Sequence, residues 1–148
     1  MRRTSVVELI VGEEAERRLK QLCELSSKLW DEVNYARLRI FLERKRVDFK
    51  GTYKEFYEKY RPLIGSATVQ QVLNRSNEVW RNFFRLLELR KEGKLPSFIT
   101  WINPPGCGRR DGSSRALWTI LKKDQYRIDG DRIILKMAWR DWLDRNGL

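Results

Sequence analysis

From Glu13 to about Arg46 the apolar and small residues Ala15, Leu19, Leu22, Ser26, Leu29, Val33, Ala36 and Ile40 recur at alternating spacings of four and three. That spacing puts them on one face of a long amphipathic helix. Trp30 and Phe41 flank the stripe, and Glu24 with Lys28 stands four residues apart on the polar side as an expected ion pair. The spacing returns through Val69, Leu73, Ser76, Trp80, Phe83 and Leu87, predicting a second long helix packed against the first, antiparallel or obliquely crossed. Between them, Val47 to Gly51 breaks the pattern. Thr52 is the expected cap of a shorter helix carrying Tyr53, Phe56, Tyr57 and Tyr60, which Pro62 and Gly65 close.

The two ends of the chain have a different period. Residues 4–11 are rich in β-branched side chains and stop at Gly12, which reads as a strand in need of a distant partner. Leu117 to Leu121 has strand character again. Tyr126-Arg127-Ile128 and Arg132 to Leu135 bracket Asp129-Gly130, a dipeptide suited to the positive φ of a tight hairpin. The expected class is α+β: a small antiparallel sheet or partial barrel, made of the first strand and the late strands, with an inserted bundle of long amphipathic helices. The expected division is a β subdomain from residues 1–12 and 116–136, a helical insertion over 13–91, a flexible Gly/Pro loop over 92–115 and an atypical tail over 137–148.

Charge narrows the partners. The 148 residues include 31 Lys and Arg against 20 Asp and Glu, a formal net charge of +11. The excess runs through the whole chain: 12 basic and 9 acidic residues in 1–50, 9 and 5 in 51–100, 10 and 6 in 101–148. A cation excess of this size attracts polyanions, so RNA, DNA or both are the expected partners. No apolar run approaches a membrane span, which predicts a cytoplasmic protein with no membrane partner.

The same composition restricts catalysis. Histidine is absent, which removes the commonest general base near neutral pH. Cys23 and Cys107 stand singly, so no closed zinc site is expected, nor any other cofactor. Asp111, Asp124, Asp129 and Asp131 are candidate Mg²⁺ ligands, but loop, strand connection and turn account for Asp111, Asp124 and Asp129, nothing points to a rigid scaffold converging on one ion, and the chain is read as no enzyme. Gly106 and Gly108 open no helix, as a phosphate-binding turn would require.

The second long helix carries the more informative surface. Gln70, Gln71, Asn74, Arg75 and Asn77 place amide and guanidinium donors beside its apolar stripe, groups that make paired hydrogen bonds to base edges and phosphates. Tyr53, Tyr57, Trp101 and Trp118 are candidate stacking platforms for unpaired bases, Tyr57 and Trp118 being equally suited to a core. Arg2, Arg3, Arg109, Arg110, Lys122 and Lys123 are candidate phosphate contacts.

The opening strand Val6 to Val11, the run Leu29-Trp30-Asp31-Glu32-Val33-Asn34, Thr52-Tyr53, the segment from Ser66 through Phe83-Phe84, Gly93 to Phe98, and Tyr126 to Leu135 together resemble the amino-terminal part of TnpB. TnpB is the OrfB-type protein of insertion sequences and a relative of type V CRISPR effectors. The resemblance covers roughly residues 3–136 and is most specific over Gln70 to Phe84. It implies a wedge-like barrel with an inserted recognition lobe that holds guide RNA and inspects a short motif in duplex DNA. By position, Tyr53, Ser66, Ala67 and Gln70 would face that motif beside Lys122 and Lys123, with Gln70 suited to adenine. The family continues into a RuvC-like nuclease and a zinc module that this sequence does not reach, and Met137 to Leu148 departs from the family pattern. The expectation is therefore a non-catalytic, truncated nucleic-acid-binding fragment. The alternative is a protein-interaction or regulatory module acting on full-length transposon proteins.

Overall fold

The computed structural model describes residues 2–106 and 118–135. Three helices carry the architecture: α1 (Glu13–Arg44), α2 (Phe49–Ile64) and α3 (Ser66–Lys91). A single 3₁₀ turn (Lys123–Gln125) leads into a hairpin of β1 (Tyr126–Asp129) and β2 (Arg132–Leu135). The α+β class with a helical bundle is what the sequence pattern predicts.

Helix boundaries follow local chemistry. Asp48, not Thr52, caps α2, its carboxylate accepting from the Gly51 amide at 2.9 Å. Thr52 lies inside the helix, where its hydroxyl donates to the Asp48 carbonyl at 2.6 Å and accepts from Arg37. Pro62 is accommodated within α2, and the break falls at Gly65, whose φ of 83° and ψ of 152° suit glycine alone.

The long helices run in the same direction. Asn34 meets Ser76 and Trp80, whereas Phe41, seven residues on, meets Phe83 and Phe84, so contacts advance together along α1 and α3. Of the two arrangements expected, antiparallel or obliquely crossed, the antiparallel one is thus excluded by an up-down-up order, because α2 reverses the chain: Arg37 meets Thr52, and the earlier Glu32 meets the later Tyr60.

Leu22, Leu29, Val33, Phe56, Tyr60, Ile64, Val69, Val72 and Leu73 form the core, extended by the buried Trp80 and Phe83. Ala15, the first residue of the expected stripe, is exposed, since α1 begins its packing only near Leu22. At about 1.5 Å per residue, α1 is roughly twice the length of α2 and projects past it. Glu24 and Lys28 do not pair; the i,i+4 bridges on α1 are Glu14 with Arg18 at 2.8 Å and Glu16 with Lys20 at 3.1 Å.

The β elements are smaller than the pattern suggests. β1 and β2 pair antiparallel from Tyr126↔Leu135 to Asp129↔Arg132. The turn is therefore Gly130-Asp131, with Gly130 at φ 60°, one residue beyond the Asp129-Gly130 reading. Residues 2–12 and 118–122 have no regular secondary structure, so the first strand does not join the late ones. Val6 and Ile10 are 95% and 99% exposed. β-branched side chains favour an extended chain, but only a neighbouring edge makes a strand.

Candidate nucleic-acid interface

The segment 118–125 crosses the end of the bundle where α2 hands over to α3. Trp118 packs edge-on against Trp30 with ring centroids 5.4 Å apart, and its amide donates to Ser27 Oγ at 3.4 Å. Thr119 and Ser26 share a hydrogen bond between hydroxyls at 2.9 Å. Trp118, a stacking candidate from sequence, thereby spends one ring edge on packing.

Gln125 completes the attachment. Its Oε1 accepts from the Lys122 amide at 2.7 Å, and its Nε2 donates to Thr68 Oγ1 on α3 at 3.0 Å. The result holds Lys122 beside α3, where its ammonium donates to Gln70 Oε1 at 3.5 Å. That distance is at the long edge of a hydrogen bond, so Gln70 can exchange it for a ligand at small cost. Lys122, Lys123 and Asp124 line an open recess of about 640 Å³ next to this pair.

Two of the predicted residues from distant parts of the chain, Gln70 and Lys122, therefore meet. Ser66 and Ala67 lie in the first turn of the same helix, Ser66 exposed and Ala67 half-buried. Tyr53 is on α2, stacked on Tyr57 with centroids 6.3 Å apart and planes 12° from parallel. Burial, then the neighbouring Tyr57, pushes its phenol above the ordinary value, so it is a hydroxyl donor at neutral pH. The Arg61 guanidinium lies 6.0 Å from the Tyr57 centroid.

On α3, Gln71 is half-buried and Asn74 exposed; Arg75 is exposed but paired with Glu78 at 2.9 Å, which tempers its charge. Asn77 is half-buried, its Oδ1 without a partner among the described residues. Trp101 is 77% exposed, its indole nitrogen donating to Asn103 Oδ1 at 2.7 Å. Arg2 and Arg3 are exposed, Lys123 likewise; Arg109, Arg110, Cys107, Gly108 and Asp111 lie outside the described residues.

Sequence reasoning missed what stiffens this surface. Arg37 is fully buried between the three helices, its Nε donating to Thr52 Oγ1 at 2.9 Å, Nη1 to Ser76 Oγ at 2.8 Å and Nη2 to the Phe49 carbonyl at 3.4 Å. Ser76 passes its own proton to Asn34 Oδ1 at 2.6 Å, which also accepts from Trp80 Nε1 at 3.0 Å. Burial, then the nearby Arg81 charge, lowers the Arg37 guanidinium to about 10, against a smaller opposing effect of Asp48. The available signal was spacing: Asn34 and Arg37 adjoin Val33 and Ala36 on the apolar stripe, where a charged residue is out of place.

Among the described residues no three His, Cys, Asp or Glu side chains come together to hold a metal, and no described helix is long and apolar enough to cross a membrane.

Over 138 residues the chain is 46% identical to the TnpB-like protein ORF457 of Acidianus two-tailed virus. The chain is similar to a TnpB-like protein. The match takes in 91% of this chain but only 30% of the viral protein. No family model matches the sequence, and no solved structure matches it. The 46% identity to a TnpB-like protein agrees with the resemblance to the TnpB family read over roughly residues 3–136.

Proposed function

We propose that this chain is the amino-terminal, nucleic-acid-binding part of a TnpB-like transposon protein, holding RNA, a short duplex DNA motif, or both, without chemistry of its own. The observation that carries the reading is the meeting of Gln70 and Lys122, 52 residues apart in sequence, beside an open recess lined by Lys122, Lys123 and Asp124, where the two ammonium groups outnumber the one carboxylate. An amide that reads a base edge and ammonium groups that meet phosphates divide the labour of recognition as nucleic-acid interfaces do. The net charge of +11 supplies the long-range attraction. The similarity to a TnpB-like protein supports the transposon assignment, and the matched region spans 30% of that relative.

The test separates the two side chains. In gel-shift assays against a randomised duplex pool, Gln70→Ala broadens the bound sequences with little change in total binding, whereas Lys122→Ala weakens every sequence alike. Identical, unselective binding by wild type and Gln70→Ala removes the base-reading role.

A second reading rests on a different observation. Val6, Ile10 and Ile128 are 95%, 99% and 68% exposed, apolar surface suited to another protein. In that reading the chain regulates full-length transposon proteins, and co-purification with them after nuclease treatment is the result that favours it.

A further inference from the structure

The end of the bundle opposite Gln70 is also basic. Lys45 and Arg46, in the connection from α1 to α2, and Lys91, in the last turn of α3, border a recess of about 440 Å³ floored by Phe49, Phe84 and Leu87. All three cations are exposed, and none has an ion-pair partner among the described residues. Lys45 closes α1 in the left-handed region at φ 56°, which turns the chain so that Arg46 follows outside the helix.

Complementing a helix dipole explains Arg90 and Lys91 at the end of α3. It does not explain Arg46, which has left its helix, nor Arg81, ten residues before the end of α3, whose guanidinium lies 5.7 Å from the Phe49 ring. The buried Arg37 approaches the same ring at 5.1 Å, and the two guanidinium charges repel each other. Two carboxylates adjoin: Asp48 is engaged by the Gly51 amide, and Glu88 lines the recess. The cations outnumber them.

We propose that this end is a second phosphate-docking surface, taking the backbone of the same DNA duplex whose motif the Gln70 face reads. The inference rests on the nucleic-acid reading above. A duplex fits better than an unpaired strand because the aromatic floor is already covered: Arg37 and Arg81 attend Phe49, and Phe84 is packed by Phe41, Phe49, Trp80 and Phe83. No bare ring is left for a flipped base to stack on, while the rim offers cations to phosphates. Gln70 and Lys91 stand on one helix, about 31 Å apart at 1.5 Å per residue. That span equals roughly nine base steps of a duplex at about 3.4 Å each. Joining both ends to one duplex makes the second contact intramolecular and strengthens binding without a new base contact.

The test is anisotropy with labelled DNA duplexes of roughly 6, 12 and 18 base pairs, for the wild-type chain and an Arg46→Gln, Lys91→Gln double variant whose fold is checked by circular dichroism. The wild type is expected to bind tighter by about tenfold or more once the duplex exceeds roughly nine base pairs. The variant is expected to lose that step, with a salt slope smaller by about two, yet to match wild type on the shortest duplex. A variant equal to wild type at every length, weaker at every length, or impaired only on single-stranded RNA overturns this inference and leaves the Gln70 reading standing. Absence of binding by the wild type at all lengths overturns both.

Discussion

Arg37 reaches Ser76 across the interior of the bundle, with Nη1 2.8 Å from Oγ and both residues wholly out of solvent. A guanidinium held by hydroxyls and one carbonyl retains its charge at neutral pH, and burial makes that charge a standing cost. Thr52 and Ser76 keep other partners, the Asp48 carbonyl and Asn34, if the guanidinium is removed. Arg37→Met, which preserves volume, is therefore expected within about 1.5 kcal/mol of wild type. Arg37→Ala, which leaves a cavity, is expected to cost about 3 kcal/mol. Urea denaturation of both variants checks the pair; equal losses would mean that the hydrogen bonds, not the packing, matter at this position.

Gly65 joins α2 to α3 at φ 83° and ψ 152°, where any Cβ is strained. Gly65→Ala is expected to lose about 1–3 kcal/mol and to weaken nucleic-acid binding, because the start of α3 sets where Thr68 and Gln70 meet residues 122–125. Gly12 has φ −71° and ψ 166° with nothing within 4 Å of an added Cβ, so Gly12→Ala gives up only the N-cap preference for glycine over alanine, about 1 kcal/mol at most, and serves as the unstrained control. Thermal melts of the two variants decide it.

The helical stripes were legible because Val69, Leu73, Trp80 and Phe83 on α3, and Leu22, Leu29 and Val33 on α1, had no competing demand: all are buried where the 3.6-residue period places them. Legibility failed where one side chain served two neighbours. Thr52 reads as a cap in sequence, but Arg37, fifteen residues away, takes its oxygen, and Asp48 does the capping. The relative direction of α1 and α3 was not readable, since a stripe has no sense of direction and two reversals, the connection from Lys45 to Asp48 and the turn at Gly65, fix it together. The strand over residues 4–11 failed for the converse reason: its propensity is real, but among the described residues β1 and β2 pair only with each other. At the interface, Gln70 and Lys122 were each legible as polar and basic candidates and the family resemblance set them side by side, whereas Gln125, which holds them together, has no signature of its own.

Glu32 gives the bundle an acid-sensitive contact. Burial raises its carboxyl, but hydrogen bonds from Tyr60 at 2.6 Å and Lys59 at 2.9 Å, with the charges of Lys59 and Lys28, bring the balance below the ordinary value. A carboxylate depressed in the folded state adds stability that is complete above its unfolded value of about 4.3 and is lost as pH falls through the folded one. Glu32→Gln is expected to flatten the fall of melting temperature below about pH 4 while costing little at pH 7. Melts across that range check it; parallel curves for wild type and variant would place the acid sensitivity elsewhere.

The central claim is that the basic surface around Gln70 and Lys122 docks nucleic acid, and the salt dependence of duplex DNA binding tests it most directly. Anisotropy titrations between about 50 and 200 mM salt are expected to show log affinity falling linearly with log salt, with a slope of several units, as phosphate contacts release counterions. A folded sample that ignores DNA and RNA at the lower salt, or binds with an affinity indifferent to it, contradicts the claim.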